Sequence, residues 1–156
     1  MKPTLRFQLD YCASPLWNKE GNIGNIQRLG VSPQTEQLAN ELTSYLYDHL
    51  NPVYQGFPSF WGEDLCQWFN GRVLVLYEQL CRELSDCFDL VFAETTFYPL
   101  HRDPDVDVLL RDPVGYCQEH GVNYGQDEAA LIAEVEQAYQ DYLVFAQQVL
   151  SEGKNP

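Results

Sequence analysis

The segment His101-Arg102-Asp103-Pro104-Asp105-Val106-Asp107 sets one histidine, one arginine and three aspartates within seven residues. His-Arg-Asp also opens the catalytic loop of protein kinases, where the aspartate accepts a hydroxyl proton and an asparagine five residues later holds magnesium. Val108 occupies that later position, and no glycine-rich phosphate loop precedes the segment, so the likeness to a kinase loop fails. Asp103, Asp105 and Asp107 share the odd-position spacing of a calcium loop. Such a loop needs glycine at its sixth position and a bidentate glutamate at its twelfth, where this chain has Val108 and Val114. What remains is an acidic, solvated turn in which Arg102 and Arg111 make local ion pairs.

Other chemistry is equally sparse. There is no G-x-S-x-G elbow and no H-E-x-x-H helix, and His49, His101 and His120 stand in unrelated segments. Cys117 and His120 have metal-ligand spacing, but no second pair completes a tetrahedral site. The five cysteines, Cys12, Cys66, Cys81, Cys87 and Cys117, are odd in number and contain no C-x-x-C pair, which predicts reduced thiols in the core. No catalytic residue, metal ligand or cofactor is therefore assigned. A small α+β enzyme using His101 or His120 with Cys117 stands as the alternative reading, beside a self-associating scaffold.

The charge is more informative. Across 156 residues, 23 acids face 9 lysines and arginines, a formal net charge of −14. With 45% hydrophobic and 13% aromatic residues the chain should fold as one domain with a real core. Its field repels nucleic-acid phosphates and anionic membranes and attracts basic surfaces. The opening MKPTLRFQLDYC carries no apolar run of signal-peptide length and no stretch reaches membrane-span length, so the expected location is the cytoplasm. Between Glu83 and Glu136 thirteen acids meet only Arg102 and Arg111, so most of the excess lies there. Phe97, Tyr98, Tyr116 and Tyr124 are interleaved with these acids. Carboxylates that steer encounter, set around rings that supply contact area, complement a basic protein surface. The predicted partner-binding face comprises Glu94, Tyr98, Asp103, Asp105, Asp107, Asp112 and Tyr116.

The elements that position this face follow from periodicity. Leu5, Phe7, Leu9 and Tyr11 alternate with polar residues, predicting a strand over 4–12. SPLWNKEGNIGN reads as a turn-rich loop. Ser32-Pro33 opens a helix over about 33–50, ended by Asn51-Pro52. The aromatic VYQGFPSFW connection reads as core cover, and a second helix runs over about 62–85. Residues 87–93 form a returning strand. Residues 96–125 are irregular and acidic, with a short helical turn near Val106 to Leu110, and a final helix spans about 126–151. The fold class is α+β: a small antiparallel sheet with two central helices packed on one face and an additional long C-terminal helix.

Phe7, Asp10, Tyr11, Pro15, Leu16 and Trp17, with Ser32-Pro33 opening the helix, form a pattern over roughly the first 95 residues. In this pattern the chain resembles small cytosolic immunity proteins of bacterial polymorphic-toxin and contact-dependent inhibition systems. The resemblance implies a non-enzymatic inhibitor that binds a cognate toxin domain and blocks its active site. The last 60 or so residues, an acidic extension, lie outside the pattern. Nuclease toxins are commonly basic around their phosphate-binding clefts, so an acidic inhibitor is compatible with such a target.

Overall fold

The computed structural model describes residues 1–93 and 102–153; Glu94, Phe97, Tyr98 and His101 lie outside the described residues. The protein is α+β, as the patterns predict, and ends in a long helix. It divides into two compact units, one of Met1–Tyr47 with Gln67–Tyr98 and one of Asp48–Cys66 with Pro99–Pro156.

The first unit is built on a four-stranded sheet in the order β3-β2-β1-β4. Strand β1, Thr4–Phe7, buries Leu5 and Phe7 on its alternating face. It stops earlier than its periodicity suggests, because Gln8 donates its N–H to Pro15 O (2.9 Å) and accepts from Trp17 Nε1 (2.8 Å) across the following loop. That loop contains two short strands, β2 (Leu16–Asn18) and β3 (Gly21–Asn22), where the sequence predicts turns alone. The turn itself is as the residues demand. Asn18 Oδ1 accepts from the N–H groups of Glu20 and Gly21, and Gly21 has φ +134°, a conformation that favours glycine.

β1 pairs antiparallel with β2 (Phe7 opposite Leu16) and parallel with β4, Asp89–Phe92 (Phe7 opposite Phe92). The sheet is thus mixed, which corrects the antiparallel expectation. Helix α1, Pro33–His49, and helix α2, Glu63–Leu84, run antiparallel, since Thr35 meets Gln79 (3.2 Å) while Tyr45 meets Trp68 (5.0 Å between rings). A strand followed directly by two such helices would return antiparallel. Here the β2-β3 hairpin and a 3₁₀ turn at Ile26–Leu29 stand between β1 and α1, so the connection is not that direct path.

Ser32 caps α1 as predicted, its Oγ accepting from Thr35 N (3.2 Å) ahead of Pro33 at the first helical position. In α2 the stripe Phe69, Val73, Leu76 and Leu80 is entirely buried. Each such side chain contributes roughly 1.5–3 kcal/mol of transfer free energy. Tyr77 stacks α2 on the sheet through Phe7 (5.3 Å) and Phe92 (5.1 Å) and donates its hydroxyl to Leu90 O (3.3 Å).

In the second unit, Phe57 and Phe60 join Val106, Leu109, Tyr116, Cys117, Leu131 and Val135 in one buried cluster. The aromatic connection therefore covers a core, as its composition predicts. Asn51, 2% exposed, holds it in place by donating Nδ2 to Pro58 O and accepting from Val53 N, both at 3.0 Å. Where a single helical turn is expected there are two helices, α3 (Asp105–Arg111) and α4 (Pro113–His120). Helix α5, Glu128–Gly153, buries Leu131, Val135 and Val149, and Asp127 caps it by accepting from Ala130 N (2.7 Å). Tyr142 ties α5 to the aromatic connection by accepting from Gly62 N (2.8 Å).

His49, packed edge-on against Trp61 (5.1 Å), has its pKa lowered to about 4 by burial. The unfolded chain takes up this proton near pH 6.5, so it binds more protons than the folded chain between pH 6.5 and 4. Stability from this group is complete above that window and falls as pH drops through it, by about 2 kcal/mol once partial exposure is allowed for. Urea melts of the protein and of His49→Gln at pH 7.5 and pH 4 should show the variant losing less stability on acidification. Parallel losses in the two proteins would remove His49 as the cause.

Candidate partner-binding site

Division into units sharpens the charge asymmetry. The first unit holds nine acids and six bases, a net −3, whereas the second holds fourteen acids against Arg102, Arg111 and Lys154, a net −11. The two are of nearly equal length, so the second carries most of the field.

Its local structure explains where each carboxylate sits. Asp103 Oδ1 accepts from Asp105 N (2.9 Å) in the turn that starts α3, and Asp105 stays exposed on the first turn of that helix. Asp107 pairs with Arg102 at 2.9 Å, and the Arg102 guanidinium lies 5.5 Å from the centre of the Tyr139 ring. Among the described residues this is the one ion pair made by an arginine or lysine. Arg111 therefore does not form the expected local pair. Asp112 is the N-cap of α4, accepting from Gly115 N at 3.0 Å.

Tyr116 is not available as an anchor, contrary to expectation. It is 6% exposed, stacks on His120 (4.0 Å) and meets Phe57 edge-on (5.7 Å). As residue 116 it falls on the inward face of α4, a helix that the irregular reading of 96–125 did not contain. Its hydroxyl still reports on its surroundings. Burial pushes its pKa up, and Asp105, Asp103, Cys117 and Glu119 push it further. Asp103 and Asp105, ahead of and within α3, and Glu119, near the end of α4, thus all act on this one hydroxyl. Glu119 was absent from the predicted face, and only the existence of α4 reveals it. Tyr124 is half-buried against the same cluster, while Glu94 and Tyr98 lie outside the described residues.

Asp112 has two separable roles, a cap and a charge. Asp112→Ala should cost about 1 kcal/mol of stability, whereas Asp112→Asn keeps an equally good cap and should melt within about 0.3 kcal/mol of the parent. Thermal melts of both variants check this. An equal loss in the two would show that the charge, and not the hydrogen bond, matters to the fold.

The thiols divide differently from the core-only expectation. Cys66 and Cys117 are buried, but Cys12 and Cys87 are exposed, and all five are free. Burial pushes the Cys66 thiol up to about 11 and raises that of Cys117, which disfavours the reactive thiolate at both. His120 turns its Nδ1 to Tyr116 O (2.9 Å) within its own helix. No group of three or more metal-ligating side chains occurs among the described residues, and none of their helices is long and apolar enough to cross a membrane. The chain matches no protein-family model, no curated protein and no solved structure.

Proposed function

We propose that this chain is a non-enzymatic, cytoplasmic immunity-type protein that neutralises a toxin domain by docking its acidic second unit on the toxin's basic surface. The observation that carries this reading is the net −11 concentrated on one unit, with Arg102–Asp107 as its arginine–carboxylate pair among the described residues. Carboxylates that no cation of the chain neutralises keep their full long-range attraction for a positive partner. Asp103, Asp105 and Glu119 form the centre of the docking face, with Asp107 and Asp112 at its margin because each is partly engaged by Arg102 or by the cap of α4. A nuclease is a fitting target, since its phosphate-binding cleft presents the charge this face complements. The resemblance of the first 95 residues to immunity proteins supports the same assignment.

The test is protection. The chain is coexpressed with candidate toxin domains of basic surface, including the C-terminal domain of any large secreted protein encoded beside it, and growth and complex formation are measured. Rescue of growth, with a complex that weakens steeply as salt rises from 50 to 500 mM, is the expected result. A tight complex whose affinity is flat in salt would overturn the electrostatic docking, and failure to protect or bind would overturn the immunity reading.

A further inference from the structure

We propose that a polar groove of the first unit binds an organic cation, an alkylammonium or guanidinium group, independently of the acidic face. The groove encloses about 300 Å³, within the range of small-ligand sites. One wall is α1, with Glu36, Asn40 and Thr43, and the other is formed by the chain around Cys12 to Pro15 and Asn22 to Ile26.

The second wall is fixed by its own hydrogen bonds. Asn22 Nδ2 donates to Ser14 O (2.8 Å), Asn22 Oδ1 accepts from Ser14 N (3.2 Å), and Ser14 Oγ donates to Ile23 O. Thr43 is likewise engaged, its hydroxyl donating to Ala39 O (2.9 Å). These groups frame the groove and leave the recognition to others. Glu36 and Asn40 stand four residues apart on α1 and so face the same side. Glu36 accepts one bond, from Gln27 Nε2, which leaves most of its carboxylate lone pairs free, and the Asn40 amide makes no hydrogen bond among the described residues.

The unspent capacity is therefore the Glu36 carboxylate, the Asn40 amide and the Nδ2 of Asn25, whose Oδ1 accepts from Gln27 N (3.1 Å), and no lysine, arginine or histidine lines the groove. An anion would meet the Glu36 charge inside a molecule of net charge −14. A bare metal ion would find a single carboxylate, too few hard ligands to replace its water. A cation bearing several N–H donors matches the Glu36 carboxylate in charge and finds further acceptors in the amide oxygens beside it. The rim suits the carbon stem of such a ligand. Cys12, held at φ +54°, bonds Tyr47 Oη (2.7 Å), and Tyr47 packs edge-on against Tyr11 (5.0 Å), placing an exposed aromatic pair beside the opening.

Agmatine, which carries both a guanidinium and an ammonium group, is the probe. Titrated into the full chain and followed by amide NMR, it should give saturable shifts in residues 12–14 and 36–43 with millimolar or tighter affinity. Glu36→Gln should weaken binding at least tenfold and Asn40→Ala severalfold, whereas Glu41→Gln, on α1 outside the groove, should leave it unchanged. Saturating agmatine should also slow iodoacetamide alkylation of Cys12 severalfold and leave the other exposed thiol, Cys87, unaffected. Shifts confined to residues 102–136 would mean attraction to the general acid field and would overturn the proposal. So would glucose binding as well as agmatine, or equal affinity in the parent, Glu36→Gln and Asn40→Ala proteins.

Discussion

Phe7→Ala is expected to cost about 3–5 kcal/mol of stability. Phe7 is wholly buried on a central strand, in contact with Tyr77 (5.3 Å) and Phe92 (5.6 Å), and those two rings touch each other at 5.1 Å. One side chain thus joins both partners of the parallel β1–β4 pair to α2. Alanine would forfeit the transfer free energy of the ring and leave a cavity that a sheet and a helix can close only in part. Small domains hold only about 5–15 kcal/mol in total, so the loss is a large fraction of what keeps the unit folded. Urea denaturation should show a lowered midpoint, and hydrogen exchange should show lost protection at Asp89 and Ala93, whose N–H groups bond β1-side carbonyls of Pro3 and Phe7. Phe7→Leu keeps most of the volume and should cost less than half as much. A Phe7→Ala loss below about 1 kcal/mol would contradict the packing.

Neutralising Asp103, Asp105 and Glu119 together, as Asn, Asn and Gln, is expected to weaken binding of the basic partner about tenfold at low salt. Tenfold corresponds to about 1.4 kcal/mol, or roughly half a kcal/mol for each exposed charge, in keeping with their solvation. The effect should fall mainly on the association rate and vanish above about 0.5 M salt, where the Debye length shrinks to a few ångströms. The amide replacements keep the hydrogen bond from Asp105 N to residue 103, so the start of α3 survives. The same charge change made on the first unit, at the exposed Glu20, Glu41 and Glu78, should leave affinity within about threefold. Equal losses in the two triple variants would show that net charge alone, without a particular face, accounts for the attraction.

Both predictions draw on features of different legibility. The long elements were plain in the sequence because their signals are redundant. The α2 stripe repeats its apolar period over five turns, and Ser32-Pro33 marks the start of α1 within one residue. Helix α4 was missed although its signals were present. Asp112 is an N-cap, Pro113 occupies the first helical position and Gly121 ends the helix at φ +66°. Read one at a time, proline and glycine looked like punctuation of an irregular stretch. Read together they bracket an eight-residue helix. The β2-β3 hairpin was invisible for another reason, since strands of three and two residues are too short to display a period.

The sheet's direction and the burial of single residues in the acidic stretch were decided elsewhere. Parallel pairing of β1 with β4 joins segments far apart in the chain, and no single residue encodes it. Tyr116 and Glu119 are three residues apart in the same acidic stretch, yet one is packed under Phe57 and His120 while the other stays exposed. Helical phase makes that choice, and the phase is set by which residues reach the core. The polar groove arises likewise from two segments, around Cys12 and around Glu36, that show no common pattern in the chain.

By itself, then, the sequence determined the net charge of −14, the α+β class and the long helices, because composition and repeated local periodicity are properties of the chain alone. Only the tertiary structure decided that the second unit carries −11 of that charge, that the sheet is mixed and that Tyr116 is buried while Glu119 stays exposed. Those outcomes depend on contacts between residues distant in sequence, whose free energies are settled by packing and not by any local preference.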